Sequence, residues 1–180
     1  MSVEAKATRV RLLLFDVDGV LTDGRVELRS DGTESKRFHI RDGAAIVWAR
    51  RAGLLTGMLS ARASAATTLR ARQLDMPIVA QGVAVKLDAY EKILAAHRLT
   101  DVDVAYMGDD LLDLPILSRA GLSSAPADAA HDVRAQVDWV SPARGGEGAA
   151  RELIELVLRA RGLWPPVLEA PEAPTGSAHG

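Results

Sequence analysis

The sequence contains no cysteine, which excludes disulfides, thiolate metal sites and thiol nucleophiles together. It has little net charge, −2 at neutral pH, and its Lys and Arg do not gather into a basic stripe, so it carries no footprint for a nucleic acid backbone. It also lacks a long hydrophobic run. The charged stretch MSVEAKATRVR is followed by an apolar segment too short for a membrane helix, and the ordered regions of a signal peptide are missing. These absences lead to the expectation of a cytoplasmic protein with no nucleic acid and no membrane partner. Its chemistry must use oxygen, nitrogen or a metal held by oxygen.

What is present fits one globular domain. The chain has 180 residues, 48% hydrophobic and 26% charged, enough to build a full core. The domain is expected over residues 1–161, with 162–180, rich in Pro, Ala and Gly, as a flexible tail. No internal repeat is present.

Short apolar runs recur at Val10–Phe15, Leu54–Leu59, Pro77–Ala80, Val102–Met107 and Leu122–Ser124, with a weaker one at Asp138–Val140. Helical spacing lies between most of them, at Ala44–Arg51, Ala63–Leu74, Leu87–His97 and Leu111–Arg119, and again at Glu147–Arg159. This alternation predicts a three-layer α/β/α, Rossmann-like domain with a parallel sheet. One segment interrupts it. Between Arg25 and Ile40, Val26 and Leu28 precede the turn signal Ser30-Asp31-Gly32, and Phe38 and Ile40 follow it, which predicts a β-hairpin inserted after the first strand.

In an open parallel sheet, ligands bind beyond the carboxyl ends of the strands. The residues placed there are Asp16 and Asp18 after the first run, Ser60, Ala61 and Arg62 after the second, Lys86 shortly after the third, and Asp109 and Asp110 after the fourth. Carboxylates, a hydroxyl, a guanidinium and an ammonium on one edge suit a hard cation and a phosphoryl group. Mg²⁺ would remove the repulsion between Asp16 and Asp109, and Lys86 and Ser60 would meet phosphoryl oxygens. Asp16 and Asp18, alternate residues of an extended segment, can face one substrate, Asp16 as nucleophile and Asp18 as general acid and then base. Arg62 suits a substrate carboxylate. Taken singly, each feature has a plainer reading: D-x-D-G as a turn, Asp109 and Asp110 as helix caps, Lys86 as a solvated lysine. Asp42 reads as an N-cap, His39 as a polar hairpin position, and Gly145–Gly148 as a flexible link into the last helix.

In order, FDVDGVLTDG, LSAR, Lys86 and YMGDDLLDLPIL resemble the four motifs of the haloacid dehalogenase-like phosphatases. With FHIRDG after a short hairpin and RGGEGAARELIE near the end, the chain is similar to the small branch that has no cap domain. The resemblance spans the first five-sixths of the chain. It implies a Mg²⁺-dependent phosphomonoesterase acting on a small anionic sugar phosphate, with 3-deoxy-D-manno-octulosonate 8-phosphate, of lipopolysaccharide biosynthesis, as the expected substrate. Asp16, the Asp18 backbone carbonyl and Asp109 would hold the metal, and Asp110 and Asp113 would stand behind them or support Lys86. It further implies a homotetramer in which hairpins pack in a ring and one subunit covers the next. Ala61 stands where relatives usually carry glycine, and Asp42–Ala45 lacks a second glycine often found there.

Two other readings remain at this stage. One is a phosphatase for a nine-carbon, sialic-acid-type 9-phosphate. The other is a non-catalytic phosphate-sensing protein, although a receiver-type switch places its phosphorylated aspartate after a middle strand, whereas D-x-D here follows the first.

Overall fold

The computed structural model describes residues 1–164. Six strands, β1 (Leu12–Phe15), β4 (Leu55–Ser60), β5 (Ile78–Gln81), β6 (Val104–Met107), β7 (Leu122–Ala125) and β8 (Trp139–Val140), form one parallel sheet in the order β5-β4-β1-β6-β7-β8. β1 is central because both its faces can be buried: every residue of LLLF is, as a strand covered by helices on both sides requires. Leu13 and Phe15 enter one core with Ala105 and Met107, while Leu12 and Leu14 enter the other with Val104 and Tyr106. The period of two thus feeds two layers at once.

On the first face lie α1 (Val3–Ala7), α2 (Ile40–Arg51), α3 (Ala65–Gln73) and α7 (Ala149–Ala160), contributing Ala7, Ile46, Ala71 and Leu153. On the second lie α4 (Lys86–His97), α5 (Leu114–Leu117) and α6 (His131–Arg134), contributing Ile93, Ile116 and Val133. α7 buries Leu153, Ile154, Val157 and Leu158, the spacing of one helical face. The α/β/α fold is therefore the one expected, and no cap domain is present among the described residues.

Register sets where the ends of the strands fall. Phe15 is opposite both Met58 and Met107, so Asp16, Ser60 and Asp109 emerge at nearly one level. β1 is also where the strand order reverses direction, the crevice position at which such sheets take ligands.

Several boundaries differ from the sequence reading. Leu111–Arg119 is not one helix but a 3₁₀ turn, Leu111–Asp113, followed by α5. Pro115 has no N–H to give the carbonyl of Leu111, so a continuous helix would lose a bond there. The hairpin is shorter than expected, two residues per strand at β2 (Glu27–Leu28) and β3 (Glu34–Ser35). Arg29 donates to the Thr33 carbonyl at 2.9 Å, and Gly32 adopts φ 83° in the turn. Ile40 opens α2 instead of closing the hairpin. Of the expected tail, Gly162–Trp164 fold back on the domain, with Leu163 donating to the Leu158 carbonyl at 2.8 Å and the Trp164 ring 5.8 Å from that of Trp48. The remainder lies outside the described residues.

Candidate active site

All eight side chains singled out in the sequence line one cleft of ≈ 290 Å³ at this edge: Asp16, Asp18, Ser60, Arg62, Lys86, Asp109, Asp110 and Asp113, joined by Gly24, Ala61 and Leu112. Loops after four strands bring them together. Asp16, at the end of β1, accepts a hydrogen bond from the Val17 N–H at 2.7 Å, which orients its carboxylate. Lys86, the first residue of α4, reaches back to bridge Asp16 at 2.9 Å and Asp113 at 2.7 Å.

Asp113 is fully buried, and its four acceptor positions are taken. Oδ1 receives Lys86 and the Tyr106 hydroxyl, the latter at 2.5 Å, while Oδ2 receives the N–H groups of Asp109 and Asp110 at 3.1 and 3.2 Å. It ties together α4, β6 and the loop after β6. Asp110 is exposed at the edge of the cleft and accepts the Leu111 N–H at 2.8 Å as a cap.

Asp109 is different. Its Oδ1 is buried with no hydrogen-bond partner, a condition that costs free energy unless something else occupies the position. Oxygens of Asp16, Asp109 and Asp113 lie within 4.8 Å of one another. Burial first, then the charges of Asp16 and Asp113, push Asp109 up to about 8. Burial and Asp113 raise Asp16 to about 6 against the opposing pull of Lys86. Burial works against the Lys86 ammonium, but Asp16 and Asp113 outweigh it and its pKa is raised. With Asp113 saturated, the carboxylates left for a hard cation are Asp16 and Asp109, which is the donor set that Mg²⁺ accepts alongside water and phosphate. Gly19 permits this closeness: a Cβ there would stand 2.0 Å from Asp109 Oδ2, and its φ is 90°.

The sequence pattern of the haloacid dehalogenase-like hydrolases matches residues 58–153. The 3-deoxy-D-manno-octulosonate 8-phosphate phosphatase of Escherichia coli K12 is 38% identical over 160 residues, covering 89% of this chain and 85% of that one. The chain belongs to the haloacid dehalogenase-like hydrolases. Within that family it is a phosphoric monoester hydrolase of the capless branch. The Yersinia pestis 3-deoxy-D-manno-octulosonate 8-phosphate phosphatase has a TM-score of 0.88 at 36% identity, covering 89% of this chain and 86% of that one. The Moraxella catarrhalis phosphatase, solved with magnesium, phosphate and the octulosonate, has a TM-score of 0.87 at 33% identity, covering 89% and 92%.

Three features of this hydrolase were not read from the sequence. Lys36, at the exit of β3, has a fully buried side chain and pairs with Asp18 Oδ1 at 2.7 Å; its only signal was a lysine between the hairpin's apolar positions. Glu34 accepts from Arg62 at 3.0 Å, so the hairpin is tied to the loop after β4. Asp42 does not cap its own helix. It is buried in the first turn of α2 and accepts the Arg151 N–H at 2.9 Å, filling a free donor at the start of α7. Burial raises its pKa. The Gly145–Gly148 link is packed tightly: a Cβ on Gly145 would lie 1.8 Å from the Gly19 carbonyl oxygen. It braces the loop after β1 rather than flexing.

Proposed function

We propose that this enzyme is a Mg²⁺-dependent phosphatase that hydrolyses 3-deoxy-D-manno-octulosonate 8-phosphate to the free octulosonate and phosphate through an aspartyl-phosphate. The observation that carries the reading is the pairing of Asp16, anchored by Lys86 at 2.9 Å, with the partnerless buried oxygen of Asp109. The named relatives support the substrate.

In this reading an Asp16 carboxylate oxygen attacks phosphorus as the ester P–O bond breaks. The electron pair of that bond goes to the leaving oxygen, which takes a proton from Asp18. Asp18, now a carboxylate, then takes a proton from water; the water oxygen attacks phosphorus and the bond to Asp16 breaks, restoring both acids. Lys86 and the Ser60 hydroxyl hold phosphoryl oxygens. Asp16, Asp109 and the Asp18 carbonyl hold Mg²⁺, whose charge, when bound, offsets that of the carboxylates and of the phosphoryl group. Arg62, half-exposed at the rim, offers a planar fork to the sugar's carboxylate. Leu28, 75% exposed on the hairpin, is an apolar surface for the tetramer.

Phosphate release from the octulosonate phosphate is expected to require Mg²⁺ and to vanish in Asp16→Asn. Full activity of that variant would remove Asp16 as nucleophile, and faster turnover of a nine-carbon 9-phosphate would replace the substrate. Solution mass tests the tetramer.

A further inference from the structure

Asp18 is held from an unexpected direction. Its Oδ1 accepts from Lys36 Nζ at 2.7 Å, and Oδ2 is buried without a hydrogen-bond partner, on a residue that lines the cleft. The Arg62 Nε lies 3.8 Å from Oδ2, too far for a hydrogen bond. One oxygen is therefore anchored and the other is free. The anchor is built, not incidental: the Lys36 side chain has no exposure, and burying an ammonium is costly unless it is paired. Asp18 is its hydrogen-bond partner among the described residues.

The lysine comes from the hairpin, not from the four strand ends that supply the rest of the site. Strands of two residues each do not hold themselves together in water. Lys36–Asp18 and Glu34–Arg62 are the polar ties between this hairpin and the cleft.

We propose that Lys36 is a positioning residue for leaving-group protonation: by anchoring Oδ1 of Asp18 it aims Oδ2 at the oxygen of the bond that breaks. The proposal rests on Asp18 being the acid. Without the lysine the carboxyl rotates among its rotamers, and the proton is delivered less often in the required geometry. The hairpin then contributes to chemistry within its own subunit, and its placement and the efficiency of proton transfer are linked.

The test separates protonation from sugar recognition by using two substrates of nearly one shape and no carboxylate. Phenyl phosphate leaves as a phenol that needs the proton, whereas 4-nitrophenyl phosphate leaves as a stable anion. In each case kcat/KM reports the step that forms the aspartyl-phosphate. With Lys36→Met, kcat/KM for phenyl phosphate is expected to fall about tenfold or more, within the range of general acid catalysis, and that for 4-nitrophenyl phosphate by less than about threefold. Asp18→Asn should show the same selectivity more strongly, and Lys36→Arg should restore part of the phenyl phosphate rate. Lys36→Gln gives a second, polar removal of the charge, and a Mg²⁺-dependent rise in melting temperature shows that each variant keeps its site. Equal losses on both substrates, or no loss on either, would overturn the positioning role while leaving Asp18 as acid. Absence of the selectivity in Asp18→Asn would overturn the acid itself, and the proposal with it.

Discussion

Removing the divalent cation should make the enzyme's stability depend steeply on pH. Asp109 is raised from an ordinary 3.8 to about 8 and Asp16 to about 6, so between those values the native state binds protons that the unfolded chain has released. Stability is then lost as pH rises from about 4 to about 8. At ~1.4 kcal/mol per pH unit, the loss from about pH 5 to about pH 8 is on the order of 4 kcal/mol from Asp109, with about 1 kcal/mol from Asp16. For a chain of this size that corresponds to roughly 10 °C in melting temperature. The assay is thermal unfolding in chelator across that range, repeated with saturating Mg²⁺. A cation between the carboxylates removes the repulsion, so Mg²⁺ should recover most of the loss at the alkaline end and change little at the acid end. Asp109→Asn should flatten the metal-free profile. A melting temperature in chelator that is flat with pH, or an equal Mg²⁺ effect throughout the range, would refute the account of the carboxylate cluster.

Gly19→Ala should abolish the Mg²⁺-induced rise in melting temperature and cost about 1–3 kcal/mol from the strained φ alone, because its Cβ would stand 2.0 Å from Asp109 Oδ2. Tyr106→Phe removes one donor from Asp113 but leaves Lys86 bridging Asp113 and Asp16. Urea unfolding should show a loss of about 1–3 kcal/mol with kcat nearly kept; a collapse of kcat at unchanged stability would contradict that division.

Legibility in the sequence followed the range of the interactions. Leu12–Phe15 announced a buried strand because its pattern is local, and D-x-D at its end marked two carboxylates that line the cleft. The break in the expected helix at Leu114 is also local, carried by Pro115, but the apolar pattern runs straight through it. Lys36, by contrast, has no local mark. It lies 18 residues after Asp18, and its burial depends on the intervening turn that folds the hairpin over the cleft. Asp42 is farther still from its partner, Arg151, across 109 residues, and nothing near it distinguishes an acid that caps its own helix from one that caps another.

The order of apolar runs and the residue types at their ends therefore determined, by themselves, the α/β/α architecture and the edge where chemistry collects, since a period of two and a strand terminus are properties of a few adjacent residues. Tertiary structure alone decided how the carboxylates divide. Asp113 is saturated by four donors from three elements, Asp109 keeps a free oxygen, and Asp18 is anchored from the hairpin, because hydrogen-bond saturation is a property of the space around an atom.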